Sequence, residues 1–308
     1  MDLFLQVNRH GGVFLSIIAF VFNSDFMANK SFTIFYKDAP PQVEDGDTLM
    51  LEAGKSHIAL LHKKNNSGSI AGFELFTFSE NEASSAVRLL SAIANTSQLL
   101  NHRFDNVNIY INDEFCVPVP ADKFEVNLAD DFLKIVFGTI EKRSVHYNRI
   151  DAKPGIVNVF SLSQEMLEVL NDRFGNFKIF HSWTCVLNRL ESRNYLTSVQ
   201  LIYVQFYNTH FITAIIKNGK LQMIQAFIYE NPEDVLYQLL NICTQFELTT
   251  NDVQLEVCGL IDPNYKLFRE LTNYFKNIVA DKADINHLLI NVDEYPPHYF
   301  TPFFNLGL

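Results

Sequence analysis

The chain has 308 residues, about twice a common domain size, which sets an expectation of two domains. Hydrophobic residues make up 48% of it and 28 are Phe, enough for two cores and too many for a disordered chain. A formal net charge of −11, with no dense run of Lys and Arg, argues against broad binding to nucleic acid or to an anionic membrane.

The first segment contains an apolar stretch, Val13 to Phe22, too short to span a bilayer and not followed by a small-x-small cleavage site. It reads as an extra surface strand, a signal-peptide core, or an upstream extension of a gene that starts at Met27. Asp38 to Asp47 is acidic and turn-rich, so residues 1–47 are taken together as an extension and linker. From there the pattern predicts a strand at Leu49 to Glu52, a turn at Ala53-Gly54-Lys55-Ser56, and strands at His57 to Lys63 and Gly72 to Phe78. Ser79 and Glu82 form a capping box ahead of a helix over Ala83 to Leu100, and Val107, Ile109 and Ile111 then alternate as a strand. Pro118 and Pro120 interrupt a strand at Phe115 to Val119, and a helix is predicted over Leu128 to Phe137. Strands at Ser144 to Ile150 and Gly155 to Leu162 flank Lys153-Pro154, followed by helices at Gln164 to Phe174 and Thr184 to Leu190. The boundary between halves is placed loosely near Ile150, giving units of 48–150 and 151–308.

The second half carries the strongest signals. Val199 to Phe206 is a largely apolar, β-branched and aromatic run, and Phe211 to Ile216 is another. Asn218-Gly219 follows directly, the strongest short hairpin signal because both turn positions need positive φ, and the return strand is Leu221 to Tyr229. Asn231, Pro232, Glu233 and Asp234 then cap a helix whose Leu236, Leu239, Leu240, Cys243 and Phe246 form one stripe. Val253, Leu255 and Val257 alternate as Val107, Ile109 and Ile111 do. Strand-strand-strand-helix-strand thus occurs twice, the basis for expecting an internal duplication. Asp262-Pro263 starts a last helix with Leu267, Phe268, Leu271, Tyr274 and Phe275 on one side. The Pro- and aromatic-rich tail, Tyr295 to Leu308, is expected to lie on the body of the protein, with a partner-binding tail as the alternative. Cys116, Cys185, Cys243 and Cys258 are widely spaced, none in C-x-x-C, and read as buried free thiols in a reducing cytoplasm. His57, His62 and His210 fall in or beside strands and read as satisfied polar groups.

Three strands in two hairpins, a helix and a further strand make a ribonuclease-H-like unit. Two tandem ribonuclease-H-like subdomains, α/β with mixed sheets and helices packed on them, give an actin-like ATPase arrangement. Gly54 and Ser56, Val117-Pro118, Val157-Asn158-Val159-Phe160, Pro232 to Tyr237, Gly259 and the ending His298 to Leu306 resemble an uncharacterised bacterial domain-of-unknown-function family with that fold. The resemblance covers roughly Thr48 to Leu308.

That resemblance implies a place for ATP and magnesium between two hairpin turns, with a Gly-rich turn against the adenosine. Backbone N–H groups reach phosphates only where no side chain intervenes, and a carboxylate must order the magnesium waters. Glu52-Ala53-Gly54-Lys55-Ser56 fits the first turn, with Lys55 and Ser56 able to face a phosphate; the alternative is a plain hairpin needing Gly54 for its φ angle. The second turn, Tyr207-Asn208-Thr209-His210, has neither acid nor glycine, and only Gly259 remains at the adenosine position. The candidate nucleotide-binding residues are therefore Glu52, Gly54, Lys55, Ser56 and Gly259, forming a degenerate cleft, with no catalytic residue and no metal ligand assigned. No Walker A loop, G-x-S-x-G, H-E-x-x-H or dinucleotide fingerprint is present, and Asp130-Asp131 reads as a solvated helix face. The expectation is a cytoplasmic, non-catalytic binding or scaffold module for a protein partner, with no cofactor. The alternative is a nucleotide-binding protein or weak ATPase.

Overall fold

In the computed structural model, which describes residues 29–35, 42–78, 86–150, 155–193, 200–261, 266–283 and 295–307, those residues form three sheets. The first has the order β1 (Asn29–Phe35), β4 (Ile70–Thr77), β3 (His57–Lys63), β2 (Thr48–Gly54), β5 (Asn106–Asn112), β9 (Lys178–His181). The second runs β12 (Lys220–Ile228), β11 (His210–Lys217), β10 (Leu201–Phe206), β13 (Gln254–Gly259), β14 (Asn277–Ala280). Leaving β1 aside, both read the same way: three antiparallel strands, then two parallel ones. A third, all-antiparallel sheet has β8 (Ile156–Ser163) between β6 (Cys116–Pro120) and β7 (Arg143–Ile150). Pro118 and Pro120 lie in β6, an edge strand, where a missing N–H breaks no ladder.

Alternation along the strands decides what each face meets. In β2, Leu49, Leu51 and Ala53 enter one core while Met50 enters another, and in β10, Ile202, Val204 and Phe206 part from Leu201 and Tyr203 in the same way. The outer face of the first sheet is covered by α1 (Ala86–Ala94) and α3 (Gln164–Phe174). That of the second is covered by α5 (Pro232–Gln245) and α6 (Lys266–Tyr274). The inner faces share one core with α4 (Ser182–Ser192), which contributes Trp183, Cys185, Val186, Leu187 and Leu190. The tail completes it: α7 (Thr301–Phe304) and its neighbours bring Phe300, Phe303 and Leu306 into the same core, so the tail lies on the body as expected. A charged clamp ties α4 to the second sheet, with buried Asp281 taking Arg189 Nε (3.1 Å) and Nη2 (2.5 Å), Arg193 Nη1 (2.8 Å) and Tyr203 OH (3.1 Å).

Several sequence expectations change. β1 falls within the segment read as extension and linker, where it pairs antiparallel with β4. Asp47, read as linker, is buried and accepts from the backbone of Glu44 and Asn65, both at 3.0 Å, and bonds His62 at 2.7 Å. The helix expected to reach Leu100 stops at Ala94. Buried Glu74 takes Ser97 Oγ (2.6 Å) and the N–H groups of Gln98 (3.0 Å) and Leu99 (3.2 Å), which turns the chain into a short 3-10 segment, Leu99–Asn101. The boundary expected near Ile150 falls between β7 and β8, neighbours in one sheet, and β9 lies beyond it while still pairing with β5. The Asn218-Gly219 turn has the positive φ values predicted, 55° and 70°, and the Asn231–Asp234 capping box starts α5. All four Cys are free and buried. Val13 to Phe22, the Ser79–Glu82 box, Lys153-Pro154 and Asp262-Pro263 lie outside the described residues.

Candidate functional site

Parity carries three polar residues of the first sheet to the inner face. Glu52 follows Met50 by two positions in β2, His57 precedes Ala59 by two in β3, and Asn112 follows Tyr110 by two in β5; Met50, Ala59 and Tyr110 all lie in the shared core. From the second sheet, Tyr203, Gln205 and Tyr207 follow the same rule out of β10 and into the turn before β11. Glu52 is 0% exposed, and a carboxylate in that position must be surrounded by donors. Its Oε1 accepts from Ser182 Oγ at 2.6 Å, Tyr207 OH at 3.0 Å and Asn112 Nδ2 at 3.3 Å, while Oε2 lies 3.2 Å from His57 Nε2.

Ser182 opens α4 and Tyr207 follows β10 of the second sheet, so one carboxylate joins the first two sheets and the helix between them. Tyr207 OH also accepts from Gln205 Nε2 at 2.6 Å. Burial first, and then the charge of Glu52, hold the Tyr207 phenol well above its ordinary pKa, so it stays a donor. The imidazoles lie close by: His57 stacks on Tyr207 with centroids 4.8 Å apart, and Tyr207 on His210 at 4.6 Å and 8°. Phe303 from the tail meets His57 and Tyr207 edge-on, both at 6.0 Å. Burial, followed by repulsion from His57 and Lys55, depresses His210 to about 3, leaving a neutral ring whose Nε2 lies 3.2 Å from Asn112 Oδ1.

The residues singled out from sequence do not act together. Glu52 is the centre of the cluster just described. Gly54 lies under the His57 ring: a Cβ there would come within 2.3 Å of it, and its φ is not positive, so glycine is needed for space and not for the turn angle expected. Lys55 turns to solvent and pairs with exposed Glu114 at 2.6 Å. Ser56 Oγ lies 3.1 Å from Thr209 Oγ1, so the two hairpin turns touch directly. Gly259 does need its positive φ of 84°, and it sits against the carbonyl of Phe206, which a Cβ would meet at 2.1 Å. His57, Asn112, Ser182, Tyr207 and Phe303 were not among the candidates. The available signal was an acid within an otherwise apolar strand, Leu49 to Ala53, which requires donors from elsewhere. Among the described residues no group of three or more His, Cys, Asp or Glu is placed to hold a metal, and no helix is long and apolar enough to cross a membrane.

A family profile described as protein of unknown function (DUF3822) matches residues 41–278. The chain belongs to the DUF3822 family. By sequence, no curated protein matches it. Among solved structures, this DUF3822 chain is similar to a Bacteroides thetaiotaomicron protein with actin-like ATPase fold and unknown function. Identity is 17% over 82% of this chain and 97% of that one, with a TM-score of 0.69. It is also similar to a chain of the PilM-PilN type IV pilus biogenesis complex, 10% identical over 86% of this chain and 98% of that one, with a TM-score of 0.54. The fold is therefore actin-like, with two lobes built on the first and second sheets.

Proposed function

We propose that this protein is a non-catalytic binding module which keeps the actin-like shape for a protein partner and fills the cleft between its lobes with its own side chains. The observation that carries this is the bond from Tyr207 OH to Glu52, 155 residues apart, with Ser56 against Thr209 beside it. A triphosphate between those turns would displace the Tyr207 and His57 rings. It would also leave the buried Glu52 carboxylate facing like charge. Glu52 has its acceptor sites taken by protein donors, and Lys55 points to Glu114, so the residues present do not fit ATP with magnesium. That one similar structure comes from a two-protein complex agrees with a binding role. Four buried free thiols agree with a reducing, cytoplasmic setting. On the same reading the first lobe ends with α4 and not near Ile150, since β9 belongs to the first sheet, and the matching strand orders reflect a duplication.

A thermal-shift titration with millimolar ATP and magnesium tests the proposal. The expected outcome is no change in midpoint. Ligand at a hundred times its Kd would add about 2.7 kcal/mol, several degrees of stabilisation. Such a rise, removed by the exposed substitution Lys55→Ala, would overturn the proposal in favour of a nucleotide-binding protein.

A further inference from the structure

Among the described residues each sheet ends in two edge strands, and all but one of these edges are guarded against further pairing. β1 carries Lys30 and a bulge between Lys30 and Phe32. β9 and β7 are bridged by the Asn148 side chain, which donates to Ile179 O at 3.1 Å and accepts the His181 N–H at 2.9 Å. β14 has only four residues. In β6, which packs under α2 (Ala129–Phe137), the bonds from Ala121 N–H to Gly155 O (2.9 Å) and from Ser161 N–H to Phe115 O (3.1 Å) turn the odd-numbered residues toward β8. Pro118 and Pro120 therefore face outward and offer no N–H. Short length, lysine, bulges, proline and cover are the devices that keep a strand edge from pairing with another chain.

The exception is β12, which has none of them past its first few residues. It is uncharged from Leu221 to Tyr229. Its bulge falls near the turn, ahead of Met223, and there Leu221 and Met223 line a cavity of about 240 Å³ with Pro118, Pro120 and Gly155. Ile224 is buried, so the open run lies beyond it. Tyr229 N–H donates inward to Thr209 O at 3.1 Å, and the register with β11 is unbroken from Met223 to Ile228. Parity then turns the N–H and C=O of Ala226 and Ile228 away from β11, where no described residue bonds them. The Ile228 side chain is 71% exposed beside them.

The two ends of this strand differ in charge. Lys217 and Lys220 precede it, and Glu247 pairs with Lys217, leaving that end positive. Glu230, Glu233 and Asp234 follow it, and Lys266 is shared between Glu233 and Glu270, leaving that end negative.

We propose that a second copy of the chain pairs antiparallel with this edge, about a twofold axis at Phe227. Ala226 of each copy then exchanges both backbone bonds with Ile228 of the other, Phe227 stands opposite its own kind, and the exposed Ile228 is covered. Antiparallel pairing lays the positive start of one β12 beside the negative end of the other, and the twofold repeats the match, so the strand complements itself. A parallel neighbour of the same sequence would set like ends together. Because the contact uses the one open edge of each copy, the assembly closes at two. This goes beyond the binding-module reading and does not rest on it.

Sedimentation velocity of the full chain over the micromolar range tests the proposal. The mass is expected to rise with concentration from one chain to two and no further. Ile228→Lys, at an exposed position, should raise the dissociation constant at least about tenfold and leave the urea midpoint of the monomer unchanged. Ala226→Pro removes an outward N–H, as Pro118 does in β6, and should weaken association likewise. Lys220→Glu and Glu230→Lys should each weaken the dimer, and the two together should restore it, a recovery that requires the edge to meet its own copy. The proposal is overturned if the chain stays monomeric throughout, if it grows past two copies, if Ile228→Lys and Ala226→Pro both leave association unchanged, or if the paired reversal recovers nothing. An edge reserved for a strand of another protein gives the first of these results. The ATP titration reads the cleft and not the mass, so either proposal can fail while the other stands.

Discussion

Replacing Tyr207 by Phe deletes one hydroxyl and leaves the ring that packs on His57 and His210. That hydroxyl donates to Glu52 at 3.0 Å and accepts from Gln205 at 2.6 Å, and both partners are buried. A hydrogen bond to a charged group contributes about 1.5–3 kcal/mol and a neutral one about 1 kcal/mol. Glu52 keeps Ser182, Asn112 and His57, so its carboxylate is not orphaned, and the expected loss is about 2–4 kcal/mol. At roughly 2–4 °C per kcal/mol for chains of 150–250 residues, the midpoint should fall by about 4–16 °C, or a little less in this longer chain. Trp183 is the only tryptophan in the chain and lies buried in the core between the lobes, so its fluorescence during urea unfolding reports directly on this region. The Phe variant should lower the urea midpoint with an unchanged m-value. Pairing Tyr207→Phe with Glu52→Gln in a double-mutant cycle should return a coupling of 0.5 kcal/mol or more. A loss under about 0.5 kcal/mol with no coupling would mean that the lobes are not joined through this bond in solution, and the closed-cleft reasoning would fail.

Three further outcomes can be checked. Gly54→Ala and Gly259→Ala should both destabilise, but only the first should be relieved by a second substitution, His57→Ala, because Gly54 is crowded by a side chain and Gly259 by the Phe206 carbonyl at a positive φ. Urea midpoints of the two single variants and of Gly54→Ala/His57→Ala decide it. Asp281→Ala removes a buried carboxylate from Arg189 and Arg193, which are 20 and 31% exposed and of which Arg193 keeps Glu256, so it should cost about 1.5–3 kcal/mol by chemical denaturation. The acid limb of stability should depend on His210. Its folded pKa, about 3, lies below the ordinary value near 6.5, so between those limits the unfolded chain binds more protons and stability falls as pH falls. His210→Gln should flatten that slope between pH 6.5 and 3 relative to wild type, and an identical slope would show that His210 does not contribute.

Much of the fold could be read along the chain because it depends on neighbours in sequence. The Asn218-Gly219 turn, the capped start of α5 and the strand alternation all arise from φ preferences, orphan helix amides and the two-residue period of a strand, which act over a few positions. What escaped were the short strands β9 and β14, four residues each, too brief to show a period, and β1, whose partner β4 follows it at a distance. The early end of α1 escaped for a related reason, since it is imposed by Glu74 from another strand.

The site divides in the same way. That Glu52 and Gly54 matter was visible from an acid and a glycine in an apolar hairpin, and the absence of acid and glycine at Tyr207 to His210 was visible too. Their meaning came from partners distant in sequence: Ser182 lies 130 residues from Glu52 and Tyr207 lies 155. Local pattern tells which face of its strand each side chain leaves from. Only the packing of one lobe on the other brings an acid and a phenol within 3.0 Å, because that contact is formed by the whole inner core and is encoded by neither residue's neighbours.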